Sequence, residues 1–188
     1  MAIRRIHITG SPVLHQRATE VTEFNKELAK LVKDMYQTMD KAPGVGLAAP
    51  QIGVGLRVFV YDYEDAEGNP VRGEVINPTL EVGQISSEPA DEEHEIEGCL
   101  SFPGERFPLK RAEWVKLSGV DLEQKPVEIE ATGWLARIFQ HEFDHLEGTL
   151  YVDRLSPNYA AEAAELVVDF GWGVEGNSWL PGKDKLEG

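Results

Sequence analysis

The run Gln140-His141-Glu142-Phe143-Asp144-His145 places two histidines four residues apart with a glutamate beside the first. On a helix, residues i and i+4 project from one face about one turn apart, so both imidazoles can chelate one divalent cation. Glu142 is then in reach of a water held by that cation, where a carboxylate acts as general base. The same spacing also fits a buried helix whose histidines are satisfied by hydrogen bonds. A third donor is available in Glu97-Gly98-Cys99-Leu100-Ser101, which carries the only cysteine of the chain. Taken alone, Cys99 reads as a small buried hydrophobe, as a nucleophile, or as a thiolate ligand. His94 is a competing donor, but it sits in an acidic run. The stretch from Gly44 to Gly53 is built of small residues around one polar side chain, Gln51. Such a stretch either admits a ligand close to the backbone or packs tightly as a connection. It is not a phosphate cradle, because no Lys-Ser/Thr follows.

The elements that would position these groups can be read from periodicity. Thr132 can cap the two-histidine helix and Gly148 can end it, with Trp134, Ile138, His141 and His145 on one stripe. An earlier helix capped by Asn25 carries Leu28, Leu31, Val32, Met35 and Met39 at three- and four-residue steps, with Lys26, Lys30, Lys33 and Asp34 on a solvated side. Leu56–Tyr63, Val75–Val82, Trp114–Val120 and Val127–Ala131 read as strands, with a turn at Asp65–Asn69. Asn77-Pro78 marks an edge or a bulge. Ile3–Thr9 is a short edge strand or an extended arm. Residues 86–97 form a solvated acidic loop, and a last helix runs from about Asn158 to Asp169. The expected fold is α+β, with antiparallel or mixed sheets packed around a central metal-binding helix, a long N-terminal helix and a C-terminal helix. Residues 1–170 form a single catalytic domain, and 171–188 an irregular, frayed tail.

Charge excludes several classes of function. Acidic residues outnumber basic ones 33 to 18, for a formal charge of −15. That argues against direct nucleic-acid binding and against docking on an anionic membrane. No run approaches the roughly 18 apolar residues of a membrane span, and Met1-Ala2-Ile3-Arg4-Arg5 leads into no signal-peptide core. One cysteine permits no intrachain disulfide, which fits a cytoplasmic location.

Taken together, the motifs resemble those of the peptide deformylase family. Gly44-Val45-Gly46-Leu47-Ala48-Ala49-Pro50-Gln51 matches its Gly-x-Gly-x-Ala-Ala-x-Gln loop, Glu97 to Ser101 its Glu-Gly-Cys-Leu-Ser turn, and Gln140 to His145 its histidine helix. Three motifs in order, within a similarity spanning roughly residues 3–155, are more specific than any one. Phe102 and Arg137 depart from residues common in the family, and both touch pocket shape. The resemblance implies that Cys99, His141 and His145 ligate a divalent metal, Fe(II) in the cell, with Zn, Ni or Co able to occupy purified protein. It implies Glu142 as general base and then acid, with Gln51 and the Leu100 N–H stabilising a developing oxyanion. It implies an N-formyl-methionyl peptide lying extended along Val45, Gly46 and Leu100, with Arg106 near the mouth. The reaction would release formate from nascent polypeptides, in transient association with the ribosome. Asp144 is expected in a structural ion pair with Arg111, and Ser101 as a turn residue.

Two other readings share these residues. A zinc endopeptidase would use the same helix but draw a third ligand from Glu147, Asp153 or Glu162, since no histidine or cysteine follows His145. A non-catalytic metal-binding module would need neither Glu142 nor Gln51.

Overall fold

The computed structural model describes residues 2–65 and 67–186. Met1, Ala66 within the expected turn, and residues 187–188 of the expected tail lie outside the described residues. The chain opens with β1 (Ile6–His7), a 3-10 turn at Pro12–His15 and helix α1 (Lys26–Met39). The small-residue stretch becomes β2 (Gly46–Ala48) and a 3-10 turn at Ala49–Ile52. Strands β3 (Val58–Glu64) and β4 (Pro70–Val82) follow, then the hairpin β5 (Ile96–Cys99) and β6 (Phe102–Pro108). Strands β7 (Trp114–Val120) and β8 (Pro126–Thr132) lead into helix α2 (Gly133–Leu146). A 3-10 turn (Tyr151–Arg154), helix α3 (Pro157–Asp169) and β9 (Ser178–Trp179) complete the described chain. None of its helices is long and apolar enough to cross a membrane.

The main sheet has the order β2-β3-β4-β7-β8, and every pairing in it is antiparallel. Its central logic is visible in β3, where Val58, Phe59, Val60 and Tyr61 are all buried. Successive side chains of a strand point to opposite faces. Val58 and Val60 pack with Leu28, Leu31, Val32 and Met35 of α1, whereas Phe59 and Tyr61 pack with Ala136, Ile138 and Phe139 of α2. Phe139 meets Tyr61 edge-on at 5.1 Å between ring centroids. The sheet thus holds α2 on the face opposite α1. A third cluster joins Cys99, Phe102 and Phe107 of the β5–β6 hairpin to Tyr151 and to Ala163 of α3.

Four local readings need correction or refinement. Asp34, assigned to the solvated side of α1, is fully buried and accepts from Ala2 N and Lys30 Nζ, each at 3.0 Å. The N-terminal arm bonds α1 at Asp34 and Thr38, while Lys26, Lys30 and Lys33 stay exposed. Thr132 occupies the cap position of α2 without a side-chain capping bond, while Asn25 does cap α1, accepting from Leu28 N at 3.0 Å. The acidic loop is exposed through most of its length, but Glu95 ion-pairs with Lys110 at 2.9 Å, and Glu97 is buried. The tail expected to be irregular instead contributes β9, which pairs antiparallel with β1 and buries Trp179. Two residues are too short a run for alternation to reveal, so only the pairing partner makes this strand.

The break at Asn77-Pro78 is a β-bulge, where the β4–β7 register shifts between Ile76 and Thr79. Asn77 adopts φ 51°, and its side chain accepts from Val21 N at 2.8 Å and donates to Val21 O at 2.9 Å. Asn77→Ala removes both bonds and places a less tolerant residue in the left-handed region. We expect a loss of about 2–3 kcal/mol, read as a melting temperature lower by roughly 5–10 °C, with room-temperature activity retained.

Candidate active site

Helix α2 presents His141 and His145 on the face turned toward the β5–β6 hairpin, with their Nε2 atoms 3.2 Å apart. Cys99 ends β5, where the pairing with β6 shifts register between Gly98 and Cys99. A shift of this kind re-aims a side chain. Here it brings Cys99 Sγ to 3.3 Å from His145 Nε2, and the three donor atoms all lie within 4.8 Å of one another. A tetrahedral cation with bonds of about 2.0–2.3 Å requires donors roughly 3.3–3.7 Å apart, close to the 3.3 Å and 3.2 Å that separate His145 Nε2 from Cys99 Sγ and His141 Nε2. Two imidazoles and a thiol are also the donor types that bind borderline and soft divalent metals.

The remaining ring nitrogen of His141 is fixed by a buried acid. His141 Nδ1 lies 2.7 Å from Glu97 Oε1, an arrangement that settles the tautomer and leaves Nε2 facing the other donors. Glu97 in turn takes Arg111 through Nε at 3.2 Å and Nη2 at 2.7 Å, and Arg137 Nη1 at 3.0 Å. Burial opposes the charge on Glu97, but His141 and Arg111 hold its carboxyl well below the usual carboxylate range. Burial likewise lowers the pKa of His141, yet Cys99 and Glu97 more than offset it and hold the pKa well above the ordinary imidazole value. Charges that favour a proton there also favour a cation. The expected Asp144–Arg111 pair is present at 2.6 Å, and Asp144 also takes Arg154 through two bonds of 2.6 Å. Arg137, expected only to shape the pocket, lines the cleft and stacks over Trp134 at 5.3 Å while bonding Glu97.

Glu142 is buried beside the donor cluster, and its Oε2 has no hydrogen-bond partner among the described residues. Burial pushes its carboxyl up to about 7, near the value suited to proton transfer at neutral pH. A neighbouring cation would oppose that rise. Gly46 permits the approach, since a Cβ there would lie 2.2 Å from Glu142 Oε1. Gln51 is oriented by its own turn. Ala48 N donates to Oε1 at 2.8 Å, which turns the amide Nε2 toward Cys99 Sγ at 3.7 Å and Ser101 Oγ at 3.4 Å.

These groups open into a cleft of about 210 Å³ that includes Val45, Gly46, Leu100 and Arg106 in its walls. All the site residues expected from the motifs are therefore brought to one place, with His145 behind the lining. His94 is not among them; it lies in the exposed loop against Asp91. Of the three alternative ligands, Glu147 and Asp153 are committed to Arg57 and to Leu150 N, and Glu162 is exposed on α3. Glu97, which no spacing rule marks, signals its role in the sequence only by its place in the Cys99 motif. Trp134 and Ile138 were placed on the right stripe but not recognised as cleft walls.

Comparison with known proteins agrees with this geometry. The family model described as polypeptide deformylase matches residues 3–161. A peptide deformylase of Tropheryma whipplei is 50% identical over 192 residues, covering 96% of this chain and 94% of the relative. One of Rhodococcus opacus is 50% identical over 186 residues, covering 97% and 95%. The crystal structure of a peptide deformylase from Legionella pneumophila superposes with a TM-score of 0.75 at 39% identity, covering 90% of this chain and 96% of that one. The chain belongs to the polypeptide deformylase family, metal-dependent hydrolases that remove the formyl group from nascent peptides.

Proposed function

We propose that the chain forms one catalytic unit, its tail included through β9, and is a deformylase acting on N-formyl-methionyl ends of nascent polypeptides, with Cys99, His141 and His145 holding the metal. One observation carries the reading of the site. The donor cluster, the unpartnered Glu142 oxygen and the Gln51 amide converge on a single cleft. When bound, a divalent cation supplies a nucleophile near neutral pH and polarises the carbonyl under attack. Glu142 accepts the proton of the attacking water and delivers it to the departing amine, so the products are formate and a free N-terminus. The Gln51 Nε2–H and the Leu100 N–H donate to the oxygen on which negative charge develops. Ala48 N–H holds the Gln51 amide with its N–H side inward before substrate arrives, so no reorganisation is needed during reaction.

The substrate backbone lies extended along β2. Among the described residues that strand pairs only with β3, leaving its other edge, at Gly46, available for strand addition. Val45 and Arg106 stand at the mouth, and Leu100 on the opposing turn. A formyl carbon carries hydrogen where an acetyl carries methyl, so the closeness of Gly46 and Glu142 favours the smaller group. The metal in the cell is Fe(II), although the donor set also suits zinc, nickel or cobalt. The enzyme works in the cytoplasm with only transient ribosome contact, its −15 charge disfavouring direct contact with RNA.

Three outcomes follow for protein purified without oxygen. Glu142→Ala should keep its metal and lose about 10²–10⁴-fold in formate release from formyl-Met-Ala-Ser, measured beside metal content. Cys99→Ser should lose metal affinity and activity together, whereas an endopeptidase built on two histidines and a carboxylate would keep both. Iron should account for the activity of the anaerobic preparation and fade on exposure to air; full activity from zinc alone would contradict that assignment.

A further inference from the structure

The C-terminal segment is tied to the catalytic turn itself. β9 pairs with β1 through Ile6 with Trp179 and His7 with Ser178. Ile8 N donates to Asn177 O at 3.0 Å, and Gly173 N to Thr9 O at 3.1 Å. The two backbones run so close that a Cβ on Gly10 would lie 2.2 Å from the carbonyl carbon of Gly173. Trp179 is buried at 2% exposure, and its indole Nε1 donates to Leu100 O at 2.8 Å. The next carbonyl, Ser101 O, accepts from Thr9 N at 2.9 Å. Two consecutive carbonyls immediately after Cys99 are thus each held by the paired termini.

This anchoring constrains the turn through peptide planarity. The Leu100 carbonyl and the Ser101 N–H share one rigid plane, and Ser101 N–H points to Cys99 Sγ at 3.4 Å. A donor on the outer side of that plane and a sulfur on its inner side leave it one orientation. The plane before it, which carries the Leu100 N–H, is joined to it at a single α-carbon. We propose that Trp179 is a positioning residue: its indole N–H, acting through the Leu100 carbonyl, aims the Leu100 N–H at the oxygen of the reacting carbonyl. The proposal rests on the reading of Leu100 as an oxyanion donor given above. Trp172 provides a contrast within the same segment. Its ring packs on Phe102 at 5.0 Å and Phe170 at 4.8 Å between centroids, and its backbone N–H donates to Val167 O at 2.8 Å.

Trp179→Phe keeps a ring and deletes the donor, and Trp172→Leu removes packing without touching the Leu100 carbonyl. Both are compared with the unaltered holoenzyme in kcat and KM on formyl-Met-Ala-Ser, metal content, thermal unfolding, and amide exchange at Leu100 and Ser101. For Trp179→Phe we expect kcat to fall about tenfold or more at similar KM and unchanged metal content, because small misplacements of a catalytic donor cost that much. Exchange at Leu100 and Ser101 should quicken in that variant. Trp172→Leu should melt earlier yet keep its kcat. A kcat for Trp179→Phe within about twofold of the unaltered enzyme, or equal losses in the two variants, overturns the proposal. If Trp179→Phe does not fold, benzothienylalanine at position 179, which replaces the N–H by sulfur in an isosteric ring, is judged by the same criteria. Failure of the unaltered, fully metallated chain to release formate would instead overturn the deformylase reading.

Discussion

The buried carboxylate of Glu97 is the point on which the structure turns. It takes His141 Nδ1 at 2.7 Å, Arg111 at 2.7 and 3.2 Å and Arg137 at 3.0 Å, all within the protein interior. An isolated anion there would cost several kcal/mol, and three charged or polar donors offset that cost while satisfying both oxygens. The consequence is geometric. β5 supplies Glu97 and Cys99, α2 supplies His141 and Arg137, and Arg111 lies between β6 and β7, so one carboxylate fixes the hairpin against the helix. Arg111 passes the constraint on to Asp144 and thence to Arg154. His141 is therefore held from behind through its Nδ1, and the strand that carries Cys99 is held through the same carboxylate.

The sheet performs the other half of the positioning. Because β3 is buried on both faces, α1 and α2 are held at fixed distance from one another by the sheet and the side chains of its two faces. The edge strand β2 carries Gly46 past Glu142, while the turn after it sets the Gln51 amide. One short segment thus both borders Glu142 and carries Gln51. Close approach is the constraint that requires glycine at position 46, more than any need for an unusual φ.

The termini add a further layer. The β1–β9 ribbon spans the outside of the Cys99–Ser101 turn, and Trp179 fills the space against the α1 cluster. Small residues at Gly10 and Gly173 allow the two backbones to meet there. The segment is polar and glycine-rich by composition, yet its order comes from what it covers.

The candidate chemical groups and most of the elements are legible in the amino-acid sequence. Histidines at i and i+4, a lone thiol and a glutamine among small residues are readable because a helical or loop motif keeps its functional residues within a few positions of one another. The apolar stripe of α1 and the bulge at Asn77-Pro78 were readable for the same reason, since their causes are local. Contacts between residues far apart in the chain emerge only on folding. The clamp on Glu97 joins position 97 to 111, 137 and 141, the burial of Asp34 depends on the N-terminal arm, and β9 exists only because β1 lies beside it. No periodicity encodes such pairings, because the free energy that makes them comes from burial and from partners the chain meets only on folding.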